Sequence, residues 1–127
     1  MKNDKDKTPN KLFGAECGTG WWPLCQKAVN LVNEWNEKHT DGLDTWGGEK
    51  LEIIQMKEKF GELNIYLNFY PDSIFNELME LAKESRGICE RCGSKNGVET
   101  KKLHGWIYTL CPECQQKEIN RWNELNK

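Results

Sequence analysis

Apolar residues change their spacing along this chain, and each change predicts an element. Leu24, Ala28, Leu31, Val32 and Trp35 recur every three or four positions, the spacing of one helical face, and predict a helix over 24–38. Pro23 suits its first turn, where a missing N–H costs nothing. The stripe stops before His39-Thr40-Asp41-Gly42, and Gly42 and Gly47-Gly48 mark a loop. From Leu51 the period falls to about two. Leu51, Ile53, Ile54 and Met56 form one run, and Leu63, Ile65, Leu67 and Phe69 alternate with Asn64, Tyr66, Asn68 and Tyr70 in a second. Lys57 to Glu62 joins them, with Gly61 able to take positive φ, so the pair predicts an antiparallel hairpin. Pro71-Asp72-Ser73 offers a cap, and Ile74, Phe75, Leu78, Met79, Leu81 and Ala82 form a helical stripe over 73–86 that stops at Gly87. A two-stranded hairpin is marginal alone. Covered by these helices it becomes an α+β layer arrangement.

The last third carries the strongest chemical signal. Cys89-Glu90-Arg91-Cys92-Gly93 is followed, with eighteen residues between Cys92 and Cys111, by Cys111-Pro112-Glu113-Cys114. In each CxxC turn two sulfurs converge, and nearby backbone N–H groups donate to them. Two such turns complete a tetrahedral zinc site with Cys89, Cys92, Cys111 and Cys114 as ligands. A redox dithiol or reduced structural cysteines are the alternatives. Gly97–Lys101 and Trp106–Leu110 read as short strands turning through 102–105, and a helix follows Cys111 with Ile119, Trp122 and Leu125 on one side. Knuckle, hairpin, then knuckle at a helix start is the order of a treble-clef-like zinc module. A closed set of four cysteines leaves no position for water, so the predicted Zn2+ is structural. The expected organisation is a charged, disordered arm at 1–11, an α+β core at 12–86 and the zinc module at 87–127.

Composition narrows the class. The chain is 37% hydrophobic and 30% charged, and it has 13 aromatic residues, enough for a core. No apolar stretch nears the roughly 20 residues that span a bilayer, and no signal-peptide core follows Met1. A soluble, cytoplasmic protein with no membrane partner is expected. The formal charge of −2 is uneven: +2 over 1–11, −7 over 12–85 and +3 over 86–127. That balance excludes a strongly basic nucleic-acid domain, and the acidic middle suits a basic partner or a plainly solvated face.

Catalytic chemistry is hard to find. His39 and His104 are the two histidines, and neither lies in an acid–base or nucleophile pattern; an HNH-type nuclease centre needs more of them. Gly18-Thr19-Gly20 lacks the lysine of a phosphate loop. Cys17 and Cys25 read as buried thiols near the first helix, the alternative being a second metal site with His39 or Asp41. Of six tryptophans, Trp35 and Trp122 sit on helical stripes and are expected in the core. Trp21, Trp22, Trp46 and Trp106 fall in turns or at strand ends, where an aromatic is an interface anchor, a base-stacking platform or packing beneath a loop.

Taken together, the motifs Cys17-Gly18-x-Gly20-Trp21, Lys57-Glu58-Lys59-Phe60-Gly61-x-Leu63-x-x-Tyr66, Cys89-x-x-Cys92-Gly93 and Gly105-Trp106-x-x-Thr109-Leu110-Cys111-x-x-Cys114 resemble a group of small, largely uncharacterised phage and prophage proteins. The resemblance implies an accessory protein of a mobile element that works by binding rather than catalysis. The expected function is that of a modulator of a host protein, such as an anti-CRISPR-like inhibitor of a defence nuclease, acting through the loop tryptophans and the acidic residues Glu34, Glu37, Asp41 and Asp44. A nucleic-acid-binding regulator is the alternative, with Arg91, Lys95, Lys101 and Lys102 on phosphate and Trp106 stacking. A third reading is a sponge for a nucleotide signal.

Overall fold

The computed structural model describes residues 17–39 and 50–126. The predicted arm at 1–11 and the segment holding Asp41, Asp44 and Trp46 lie outside the described residues. A 3₁₀ turn, Thr19–Trp21, runs straight into helix α1 (Trp22–Lys38). Strands β1 (Ile53–Lys59) and β2 (Glu62–Leu67) form one antiparallel pair, and helix α2 (Asp72–Ser85) follows. Strands β3 (Glu99–Leu103) and β4 (Trp106–Leu110) form a second antiparallel pair, and helix α3 (Pro112–Leu125) comes after it. The architecture is α+β, with two separate two-stranded sheets.

Helices α1 and α2 pack on the first hairpin around one apolar cluster that includes Trp21, Leu24, Ala28, Val32, Trp35, Met56, Leu63, Leu67, Ile74, Leu78 and Leu81. Side chains tie its layers together. Asn36 donates its Nδ2 to the Leu51 carbonyl at 2.9 Å and accepts the Leu51 amide at 2.9 Å, fixing α1 to the chain entering β1. Ser85, fully buried at the end of α2, accepts the Leu63 amide at 3.0 Å and donates to the Ala82 carbonyl at 2.6 Å, so its hydroxyl is satisfied inside the core.

Strict alternation does not hold in β1. Ile53 pairs with Leu67 and Gln55 with Tyr66, so Ile54 is an extra, unpaired residue. This bulge shifts the phase: Leu51, Ile53 and Met56 all face the core while Ile54 is exposed. Both hairpins close more tightly than their sequences suggest, through two-residue loops. Phe60-Gly61 has φ of +54° and +77°, and His104-Gly105 has +53° and +83°. Two successive positive φ values belong to the type I′ turn, whose twist matches that of paired strands. Phe60 and His104 therefore hold a conformation that non-glycine residues seldom adopt.

The helix edges bring corrections. Pro71 takes the N-cap position of α2, no side chain caps it, and Asp72 lies in the first turn. Its buried face is Ile74, Leu78, Leu81 and Ser85, narrower than the predicted stripe, and Phe75 and Met79 are exposed. In α3 the buried positions are Cys114 and Glu118 instead of the predicted apolar side. Trp122, expected in the core, is 41% exposed and Leu125 70%, because no other element covers that side among the described residues. The Trp122 ring instead stacks on His104 with centroids 4.6 Å apart.

Candidate functional site

Cys89, Cys92, Cys111 and Cys114 come together with their sulfurs all within 4.8 Å of one another. Cys92 and Cys111 are 3.6 Å apart, close to the roughly 3.8 Å edge of a tetrahedron built on 2.3 Å Zn–S bonds. The local fold explains the convergence. Gly93, at φ +83°, returns its amide to the Cys89 carbonyl at 2.9 Å and closes the first knuckle. Cys111 is the N-cap of α3 and its Sγ accepts the Cys114 amide at 3.5 Å. Burial pushes the Cys89 thiol up, but the amides of Cys92, Cys111 and Arg91 donate to it, and the balance leaves it at about 7. A donor set of four sulfurs served by backbone N–H groups fits a thiolate-binding metal ion such as Zn2+.

The first knuckle is the seat of the chain's first motif. A Cβ on Gly18 would lie 2.1 Å from the Glu90 carbonyl oxygen, and one on Gly20 would lie 2.1 Å from the Cys89 oxygen and 2.7 Å from the Gly93 nitrogen. Only glycine permits that approach. The Gly20 amide donates to the Glu90 carbonyl at 3.0 Å, Thr19 Oγ1 to the Arg91 carbonyl at 3.2 Å, and the Trp21 indole N–H to the Ile88 carbonyl at 2.8 Å. Trp21 is thus fully buried. Its expected place on a contact surface is corrected: its ring anchors α1 to the knuckle.

Two buried carboxylates reinforce the second sheet. Glu90 Oε1 accepts the Thr109 amide at 2.9 Å, and burial pushes its carboxyl above the usual value. Glu118, completely buried, meets Arg91 Nη2 and Arg121 Nη2, each at 2.7 Å. Burial pushes the Glu118 carboxyl up, but the hydrogen bonds from Arg121 and Arg91 outweigh it and hold it below the usual range. Arg91, expected on phosphate, is therefore engaged within the fold, and it also lies over the Tyr108 ring, 5.3 Å from its centroid.

The two sheets meet at the tip of the first hairpin. Thr109 Oγ1 donates to the Gly61 carbonyl and lies 2.7 Å from Thr100 Oγ1. A Cβ on Gly61 would press on Thr100, Ile107 and Thr109. This junction forms a cleft of about 430 Å³ lined by Lys57, Glu58, Lys59 and Phe60 from one hairpin and Lys102, Gly105, Trp106 and Ile107 from the other. Phe60 is 64% exposed and Trp106 60%. Glu58 Oε2 accepts the Gly61 amide at 2.7 Å within the turn. Phe60 stands in the hairpin motif with no role assigned from the sequence; the positive-φ turn brings it into view.

The remaining candidates scatter. Trp22 is half-buried, and its indole N–H has no partner among the described residues. Glu34 and Glu37 are exposed on α1. Lys101 pairs with Glu99 at 3.4 Å, and Lys95 lines a pocket beside the first knuckle, not the cleft that Lys102 lines. Cys17 and Cys25 face each other with sulfurs 3.8 Å apart. His39 does not join them: it stacks on Trp35 at 4.1 Å, and its Nδ1 lies 2.7 Å from the Trp35 carbonyl. Among the described residues only the four-cysteine cluster gathers three or more metal-ligating side chains. No described helix is long and apolar enough to cross a membrane.

No family model and no solved structure matches this chain. It is similar to the Restriction of telomere capping protein 1 of Lodderomyces elongisporus, at 34% identity over 80 residues. The match covers 59% of this chain and spans 7% of that protein.

Proposed function

We propose that this chain is a phage-type accessory protein that acts by binding, without catalysis. Residues 89–125 form a treble-clef module whose Zn2+ is structural, and the function is exerted at the cleft that this module builds with the first hairpin. The observation that carries the reading is the convergence at the Thr109–Gly61 contact. Two motifs some 45 residues apart, Lys57-Glu58-Lys59-Phe60-Gly61 and Gly105-Trp106, meet there and present two exposed aromatic rings beside three lysines. Rigid exposed aromatics are what contact surfaces use as anchors.

Charge decides which partner this cleft suits. Lys57, Lys59 and Lys102 outweigh Glu58, and none of these lysines is ion-paired among the described residues. An anionic partner fits, which favours the regulator reading over a host-protein inhibitor that docks through Glu34 and Glu37. The short match to a telomere-capping protein spans too little of it to lend an activity. An affinity pull-down of the tagged, zinc-loaded chain from bacterial lysate, run beside the Phe60→Ala/Trp106→Ala variant, tests the site. Material captured by the parent chain and lost with the variant supports the cleft; equal capture by both removes it.

A further inference from the structure

We infer that the hairpin-tip cleft binds single-stranded nucleic acid, stacking bases on Phe60 and Trp106 while Lys57, Lys59 and Lys102 meet the phosphates. This deepens the preceding proposal and rests on its assignment of the cleft as the binding face.

The chemistry follows from the lining. Nucleic-acid strands alternate a flat, polarisable ring with a negative charge, and a surface that alternates aromatic rings with lysines complements both. Here the alternation comes from two hairpins: Lys57, Lys59 and Phe60 follow one another on the first, and Lys102 and Trp106 face them from the second. Phe60 is 64% exposed and Trp106 60%, so the site is a surface trough. A trough of this kind suits a strand, which lays down one face of each base in passing. A free nucleotide is held by enclosure, with most of its surface buried. A duplex hides its base faces and would meet only the lysines.

The position of the rings is built in. Phe60 sits in a positive-φ turn, with its neighbour Gly61 pinned by the Thr109 hydroxyl, and Trp106 opens β4 directly after the second such turn. Exposed aromatics at two strained tips gain nothing for the core. The first turn holds Phe60 at a φ of +54°, strain of a kind that functional sites often carry, and both residues line the one cleft. Lys101 and Arg91 are occupied by Glu99 and Glu118, whereas the three cleft lysines carry no ion pair among the described residues.

The test uses the full zinc-loaded chain and a fluorescent oligothymidylate of about ten nucleotides, a length within the span of common single-strand sites. Beside it run thymidine monophosphate, inorganic polyphosphate and a duplex of equal length. The expected result is binding of the oligonucleotide alone, weakened about tenfold or more by Trp106→Ala, with a similar loss for Phe60→Ala. Replacing the three lysines with Gln should flatten the salt dependence, each removed phosphate contact taking about 0.7 off the logarithmic slope. Both rings are exposed, so zinc content and circular dichroism should match the parent chain. Polyphosphate or duplex binding as tight as the oligonucleotide, or monophosphate binding as tight, overturns the inference. Oligonucleotide binding that survives both aromatic substitutions overturns the cleft assignment as well. If no oligonucleotide binds but a nuclease-resistant protein is captured through Phe60 and Trp106, the cleft stands and its partner is a protein.

Discussion

The amide of Gly20 donates to the carbonyl of Glu90 at 3.0 Å, placing the Thr19–Trp21 turn directly on the first cysteine knuckle. The contact is backbone to backbone and leaves no room for a Cβ. Gly20→Ala would drive a methyl against the Cys89 oxygen and the Gly93 nitrogen, atoms held in place by the knuckle itself. The expected loss is about 3 kcal/mol, the upper end of what overpacking costs. Gly105→Ala is the matched control. Nothing lies within 4 Å of its Cβ, and only the penalty of φ +83° remains, about 1–2 kcal/mol. Urea unfolding of the two zinc-loaded variants compares them, and equal losses would show that the Gly20 seat is not the tight contact described.

Removing the metal should act regionally. Cys89, Leu110, Cys111 and Cys114 form a cluster of their own, whereas Trp21, Met56, Leu63 and Leu78 belong to the larger apolar core. With a strong chelator, hydrogen exchange should rise across β3, β4 and α3 while α1, α2 and the first hairpin keep most of their protection. Uniform loss of protection would mean that the two clusters unfold as one unit. Unchanged exchange, or a purified chain without metal, would count against a structural zinc.

Glu118 supports the second sheet through charge. Replacing it with Gln leaves Arg91 and Arg121 without their shared carboxylate. Both arginines are partly exposed, so the expected cost is roughly 2 kcal/mol, below that of a fully buried pair. The sign with pH follows from the lowered carboxyl. Its contribution is complete above the ordinary carboxylate range and disappears as pH falls through the lowered value. The stability gap between parent and Glu118→Gln should therefore narrow on acidification. A gap that widens would contradict the pairing.

The Cys17–Cys25 contact separates two thiols. The contact with Cys25 holds Cys17 below the ordinary thiol value; the same contact, with burial, pushes Cys25 up. Cys17 is also the more exposed. Brief alkylation of the zinc-loaded chain with iodoacetamide, read by peptide mass mapping, should label Cys17 well before Cys25. Labelling in the reverse order would show that the thiolate resides on Cys25.

Local signals carried much of this fold. The three-and-four spacing of Leu24 to Trp35, the alternation from Leu63 to Phe69 and the two CxxC pairs each depend on neighbours a few residues apart, and the helix, the hairpin and the cysteine cluster all follow. What escaped depends on distant partners. Trp21 reads as a turn residue and Trp122 as part of a helical stripe, yet Trp21 is the buried one, bonded to the Ile88 carbonyl, while Trp122 has the His104 ring against it and stays partly exposed. Arg91 looked free until α3 brought Glu118 to it. The Ile54 bulge is invisible because an extra residue leaves the apolar composition unchanged. The cleft needed the Thr109–Gly61 contact, which joins residues 48 apart.

The indole N–H of Trp21 has its acceptor on Ile88, a residue made 67 positions later. During synthesis a tryptophan of the core therefore emerges long before the carbonyl that receives it. Until then the Trp21 indole at the start of α1 has no such acceptor. Sealing the start of α1 thus waits on residues that follow α2: the helix can form early, but its indole is capped only once Ile88 is in place.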